Sequence, residues 1–129
     1  MKTFQLFIIN IFISSMFFYG FGQDSTEHSI TVAQLKADMN ADSNLVILDV
    51  RNPAELTGPL GQIEGVINIP LPDLESRLQE LDKFKDRNIA VICRSGRRSG
   101  IATNLLVKKG FLAKNVRGGM LEYRKENPK

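Results

Sequence analysis

The residues best suited to chemistry lie in Val91-Ile92-Cys93-Arg94-Ser95-Gly96-Arg97-Arg98-Ser99-Gly100. Cys93 is the single cysteine of the 129-residue chain, so it has no internal disulfide partner. Its options are a spare buried thiol, an intermolecular link or a reactive group, and its neighbours decide among them. It follows a β-prone apolar run and precedes a short stretch holding three arginines, two serines and a glycine. A tight loop turning into a helix aims several backbone N–H groups inward and makes an anion nest. The helix start adds positive potential, and Arg94, Arg97 and Arg98 add full charges. All three effects favour thiolate over thiol, so Cys93 is expected to titrate below the ~8.5 of a free cysteine. An inert buried cysteine at a strand end is the bland alternative, and the arginine-rich loop directly after it argues against that.

The rest of the composition narrows the chemistry. The only histidine, His28, sits in a polar stretch far from Cys93 in sequence. Cysteine-protease chemistry needs a paired base, so that class is excluded, and His28 is assigned no role. Beyond residue 22 only Phe84, Phe111 and Tyr123 are aromatic, too few for a platform that stacks single-stranded nucleic acid. Nucleic acid is not an expected partner.

The elements that must hold Cys93 are readable from periodicity. Thr31-Val32-Ala33-Gln34 has the form of a capping box, and Val32, Leu35 and Met39 continue as one apolar stripe of a first helix. Leu45-Val46-Ile47-Leu48 is a short continuous run, as in a strand buried on both faces. Asp49-Val50-Arg51-Asn52-Pro53 closes it. Gly58, Pro59, Gly61 and Gly65 mark a loop before a second strand, Val66-Ile67-Asn68-Ile69-Pro70. Pro72 suits a first helical turn, with Leu74, Leu78 and Leu81 at helical spacing. Asn88 to Ile92 forms the third strand, ending on Cys93. From Ser99 or Gly100 the pattern is helical again, with Ile101, Ala102, Leu105 and Leu106 as its apolar face, and Gly110 stops it. Asn115-Val116-Arg117 supplies a last strand, and Gly118-Gly119 lead into a terminal helix. Strands alternating with helices predict an α/β fold of three layers, a mostly parallel sheet with helices on both faces. In such sheets ligands bind outside the carboxyl ends of the strands, where Cys93 falls.

Together these blocks resemble the rhodanese-like domain family of sulfurtransferases. Cys93-Arg94-Ser95-Gly96-Arg97-Arg98-Ser99 is similar to its active-site loop, and Leu48-Asp49-Val50-Arg51-Asn52-Pro53-Ala54-Glu55 to its strand-end motif. Ile63-Glu64-Gly65-Val66-Ile67-Asn68-Ile69-Pro70, Gly110-Phe111 and Val116-Arg117-Gly118-Gly119 also fit, so the resemblance runs from about Ile30 to Met120. Departures fall at Gln62, where many relatives carry histidine, at Val66 in place of alanine, and at Tyr123 near a common tryptophan.

The resemblance implies a reaction. Cys93 would attack the outer sulfur of a donor such as thiosulfate, release sulfite and carry the sulfur as a persulfide to cyanide or a thiol. Arg94, Ser95, Gly96, Arg97, Arg98 and Ser99 would bind the anionic donor and the persulfide, with Arg98 closing the loop. Arginines can hold the donor's oxygens through charge-assisted hydrogen bonds. Asp49 and Arg51 are expected as supporting residues that brace the loop, with direct substrate contact the lesser alternative. No metal or organic cofactor is required. Two rivals stand beside this reading. One is a persulfide relay loaded by a protein partner, with a sulfur-accepting protein as a further partner. The other is oxyanion chemistry, arsenate reduction or phosphatase action. Cysteine phosphatases place arginine six positions after the nucleophile, whereas Arg98 lies five after Cys93 and position 99 is serine. A silent interaction domain is disfavoured because the nucleophile is intact.

The amino terminus carries a separate signal. After Lys2, Phe4 to Phe21 is almost wholly apolar, and Gly20 and Gly22 precede Gln23. This reads as an export signal over residues 1–22, followed by a flexible leader, 23–29, and one domain, 30–129. An uncleaved anchor is the alternative, since the run approaches the ~20 residues of a span. Removing 1–22 takes only Lys2 from 17 basic and 14 acidic residues, so the net charge falls from +3 to +2. The expected product is an exported protein not embedded in a membrane, periplasmic where the cell has two membranes and secreted otherwise.

Overall fold

The structure, a computed structural model, describes residues 27–128. The expected export signal, residues 1–22, and residues 23–26 of the expected leader lie outside the described residues. Five strands form one all-parallel sheet: β1 (Ser29–Ile30), β2 (Val46–Asp49), β3 (Ile67–Asn68), β4 (Asn88–Ile92) and β5 (Leu112–Val116), in the order β1-β5-β4-β2-β3. The helices are α1 (Val32–Ala41), α2 (Pro53–Leu56), α3 (Leu71–Leu74), α4 (Arg97–Lys108) and α5 (Gly119–Glu126). A 3-10 stretch, Glu75–Phe84, follows α3.

The two central strands explain why their sequences read as unbroken apolar runs. A parallel strand covered by helices on both faces has no solvent side. Alternate residues then serve different cores. Val46, Leu48 and Val50 of the β2 segment join Ile89, Val91 and Cys93 of the β4 segment, with Leu74, Leu81, Ala102 and Leu106. Ile47, Ala90 and Ile92 face the other way, onto Val32 and Leu35 of α1 and Met120 of α5. This alternation gives three layers, with α3 and α4 on one side of the sheet and α1 and α5 on the other.

Local signals account for most element ends. Thr31 caps α1 reciprocally: Gln34 N–H donates to Thr31 Oγ1 at 3.1 Å, and Thr31 N–H donates to Gln34 Oε1 at 2.8 Å. β4 runs over the expected residues, Asn88–Ile92.

Several expectations need correction. The leader does not extend through Ser29: Ser29 and Ile30 pair with Asn115 and Val116 as the edge strand β1, and Asn115 N–H donates to His28 O at 2.8 Å. The last strand begins at Leu112, three residues before the expected start. Its first half pairs with β4 but not with the two-residue β1, so Leu112 and Lys114 face solvent and obscure the pattern. α4 starts at Arg97, before the first apolar residue of its face. Ile101, expected on that buried face, is 55% exposed, and Met39 of α1 is also exposed. Leu74, Leu78 and Leu81 do not share one α-helix, because the chain passes from α3 into the 3-10 stretch after Leu74.

Candidate active site

Cys93 follows β4 directly and is 1% exposed. The chain then turns through Gly96, whose φ of 102° lies in the left-handed region, into α4. A Cβ at Gly96 would also meet the Gly118 nitrogen at 3.3 Å, so this position needs glycine for conformation and for close approach. The turn brings Gly96 N–H to 3.1 Å and Ser99 Oγ to 3.2 Å from Cys93 Sγ. These are hydrogen bonds to sulfur from the loop that encircles it, the nest expected from the sequence.

Burial pushes the Cys93 thiol up, since a desolvated thiolate is costly. Hydrogen bonds from the Ser99 hydroxyl and from the backbone N–H groups of Ser99, Gly96 and Ser95 outweigh it together, and the thiol is held below its ordinary value. Backbone and hydroxyl dipoles are the leading causes of that effect. Arg94 and Arg97 are exposed and make no ion pair among the described residues. They are free to meet an anionic ligand arriving from solvent.

Arg98 is engaged differently. Its guanidinium forks onto Glu55 of α2, with both N–H···O distances 2.8 Å. That pair holds the Glu55 carboxyl down to about 2, chiefly through the Arg98 hydrogen bonds. It also raises Arg98, with a smaller contribution from the charge on Cys93. The guanidinium therefore links the Cys93 loop to the loop after β2.

Asp49 and Arg51 support that second loop from within. Both are buried, and Arg51 Nη2 lies 2.7 Å from Asp49 Oδ2. Arg51 also donates to Gly61 O at 2.8 Å and Glu55 O at 3.3 Å. The ion pair thus fixes the backbone that presents Glu55 to Arg98. Neither side chain is exposed to a ligand at the surface.

Three contributors had weak signals in the sequence. Asn115 of β5 lies 2.6 Å from Ser99 Oγ and donates from Nδ2 to Gly96 O at 3.1 Å. As one polar residue in a strand it carried no motif. Gly119 lies under the loop: a Cβ there would fall 2.5 Å from Cys93 O and 2.6 Å from Arg94 C. That closeness lets Met120 N–H reach Cys93 O at 2.8 Å and Leu121 N–H reach Arg94 O at 3.0 Å, so the first turn of α5 carries the loop. Arg124 of α5 donates to Leu60 O at 2.6 Å and Gln62 O at 3.1 Å.

A cysteine at a strand end in a nest of amides, on a five-stranded parallel sheet, defines a class with which the comparisons agree. The Rhodanese-like domain family matches residues 31–126. The chain belongs to that family. Two proteins of Bacillus subtilis (strain 168) are among its curated relatives, both with provisional names. The sulfurtransferase YtwF is 36% identical over 75% of this chain and 90% of its own length. The sulfur carrier protein YrkF is 35% identical over 79% of this chain and 56% of its own. Among solved structures, a rhodanese-related protein from Thermoplasma volcanium superposes with a TM-score of 0.69 at 35% identity, over 78% of this chain and 93% of its own. The family and these relatives support sulfur transfer as the class of activity.

Proposed function

We propose that this protein is a thiosulfate sulfurtransferase that works through a persulfide on Cys93. The observation that carries the reading is Cys93 Sγ in its loop, with Gly96 N–H at 3.1 Å and the Ser99 hydroxyl at 3.2 Å. Donors aimed at sulfur stabilise a thiolate, the form that attacks. The Cys93 thiolate attacks the outer sulfur of thiosulfate, the sulfur–sulfur bond breaks, and its electron pair leaves on sulfite. The loop amides then face the negative terminal sulfur of Cys93–S–S⁻. An acceptor thiolate or cyanide attacks that terminal sulfur, and Cys93 leaves as thiolate. Arg94 and Arg97 meet the incoming dianion, and Arg98, fixed on Glu55, adds positive potential at the mouth of the loop. No separate base is needed because the thiolate is already favoured.

Export belongs to the same proposal. The apolar run from Phe4 to Phe21 followed by Gly22 supports a signal removed after residue 22, with residues 30–129 as the catalytic domain. The mature enzyme then acts in the periplasm of a two-membrane cell, or outside a cell with one membrane. No helix of the described residues is long and apolar enough to cross a membrane.

A partner-loaded relay is the second reading, favoured by the similarity to a protein named as a sulfur carrier. Steady-state turnover of thiosulfate with cyanide separates the two. The enzyme reading expects steady turnover that Cys93→Ser abolishes with the fold intact by circular dichroism. Turnover retained in Cys93→Ser contradicts the mechanism, and none in the wild type moves the role to a relay.

A further inference from the structure

The hydrogen bonds around Ser99 cannot all be made at once. A serine hydroxyl has one proton to donate. Ser99 Oγ faces two acceptors, Asn115 Oδ1 at 2.6 Å and Cys93 Sγ at 3.2 Å. The amide of Asn115 is not free to turn and relieve this. Its Nδ2 donates to Gly96 O at 3.1 Å, and a flipped amide would set Oδ1 against that carbonyl. The amide oxygen is therefore held against the hydroxyl by the same loop that surrounds the nucleophile. Ser99 itself is fully buried.

We propose that Asn115 is a positioning residue that competes with Cys93 for the Ser99 hydroxyl proton and thereby restrains the nucleophile between turnovers. When Cys93 is a thiol, its S–H faces the Ser99 oxygen and the hydroxyl proton lies on Asn115 Oδ1. When Cys93 is a thiolate, the hydroxyl turns to Sγ and Asn115 Oδ1 loses its donor. Resting on the sulfur-transfer reading, one consequence follows for the loaded enzyme. In a persulfide the negative charge sits on the terminal sulfur, so Sγ no longer needs the hydroxyl, which returns to Asn115. Asn115 thus favours thiol and persulfide over free thiolate.

The test uses reduced, sulfur-free protein with no donor present, so its outcome is independent of whether the protein transfers sulfur. Because Cys93 is the only cysteine, thiolate ultraviolet absorbance against pH reports on it alone, below the range where tyrosine ionises. Asn115→Ala is expected to lower the titration midpoint and raise the thiolate fraction below it roughly threefold, whereas Ser99→Ala raises the midpoint. In a Ser99→Ala background, Asn115→Ala is expected to have no further effect, because its influence passes through that hydroxyl. A midpoint that rises or stays in Asn115→Ala overturns the proposal, as does the same fall in the double variant. If Asn115→Ala does not fold, Asn115→Ser keeps a polar side chain in the strand but is too short to hold the Ser99 proton. It is expected to move the midpoint in the same direction, and a rise or no change there overturns the proposal equally.

Discussion

At the residue scale, the site depends on short dipoles more than on the arginines that draw attention to it. The sequence pointed to Cys93 and to a nest after it, because a lone cysteine between an apolar run and a glycine-containing polar loop leaves few other readings. It also suggested full charges as the source of thiolate stability. Hydrogen bonds from Ser95, Gly96 and Ser99 are its leading source in the structure, while Arg98 is bonded to Glu55. That partnership spans 43 positions in sequence, so nothing local revealed it, although Glu55 lies within the motif that carried the resemblance. Arg98→Ala is expected to cut kcat/KM for thiosulfate about tenfold, one charge-assisted contact's worth. Because the pair is about one-third exposed, the stability lost is expected to stay below about 1 kcal/mol by denaturant unfolding. Equal losses in both measurements would make Arg98 a structural residue alone.

At the scale of elements, legibility followed burial. Strands β2 and β4 lie between two helical layers, so Val46–Leu48 and Ile89–Ile92 are unbroken apolar runs that read without ambiguity. β1 and the first half of β5 form an edge, where solvent-facing residues such as Leu112 and Lys114 disrupt the period. α5 was expected, but its purpose was not visible: its first two N–H groups after Gly119 hold the carbonyls of Cys93 and Arg94. Gly119 has a φ of 57°, and any side chain there collides with that backbone. Gly119→Ala is therefore expected to destabilise the fold by at least about 2 kcal/mol and to lower turnover even under conditions where it remains folded. Thermal unfolding and activity of the folded fraction check this. A variant with unchanged Tm would show that α5 does not support the loop.

At the scale of the whole molecule, two loops from neighbouring strands meet at the carboxyl edge of the sheet, joined by Arg98 and Glu55. Their pair has a signed pH dependence. Glu55 falls from 4.5 to about 2 in the folded protein, so its contribution to stability is present above pH 4.5 and is lost as the pH falls toward 2. A Glu55→Gln protein is expected to have a lower Tm than wild type at neutral pH, with the gap closing over that acid window. A gap independent of pH would contradict the ion pair as its source. The family, the three-layer sheet and the strand end that carries Cys93 were all readable before the structure. The tertiary ties among Glu55, Asn115, Gly119 and Arg124 were not, because each joins segments whose own sequences give no reason to meet.

The measurement that bears most directly on the central claim is the intact mass of the purified protein before and after thiosulfate. The account predicts a gain of one sulfur atom, about 32 Da, removed by cyanide and absent in Cys93→Ser. No gain in wild-type protein, or a gain that persists in Cys93→Ser, would contradict thiosulfate loading of Cys93.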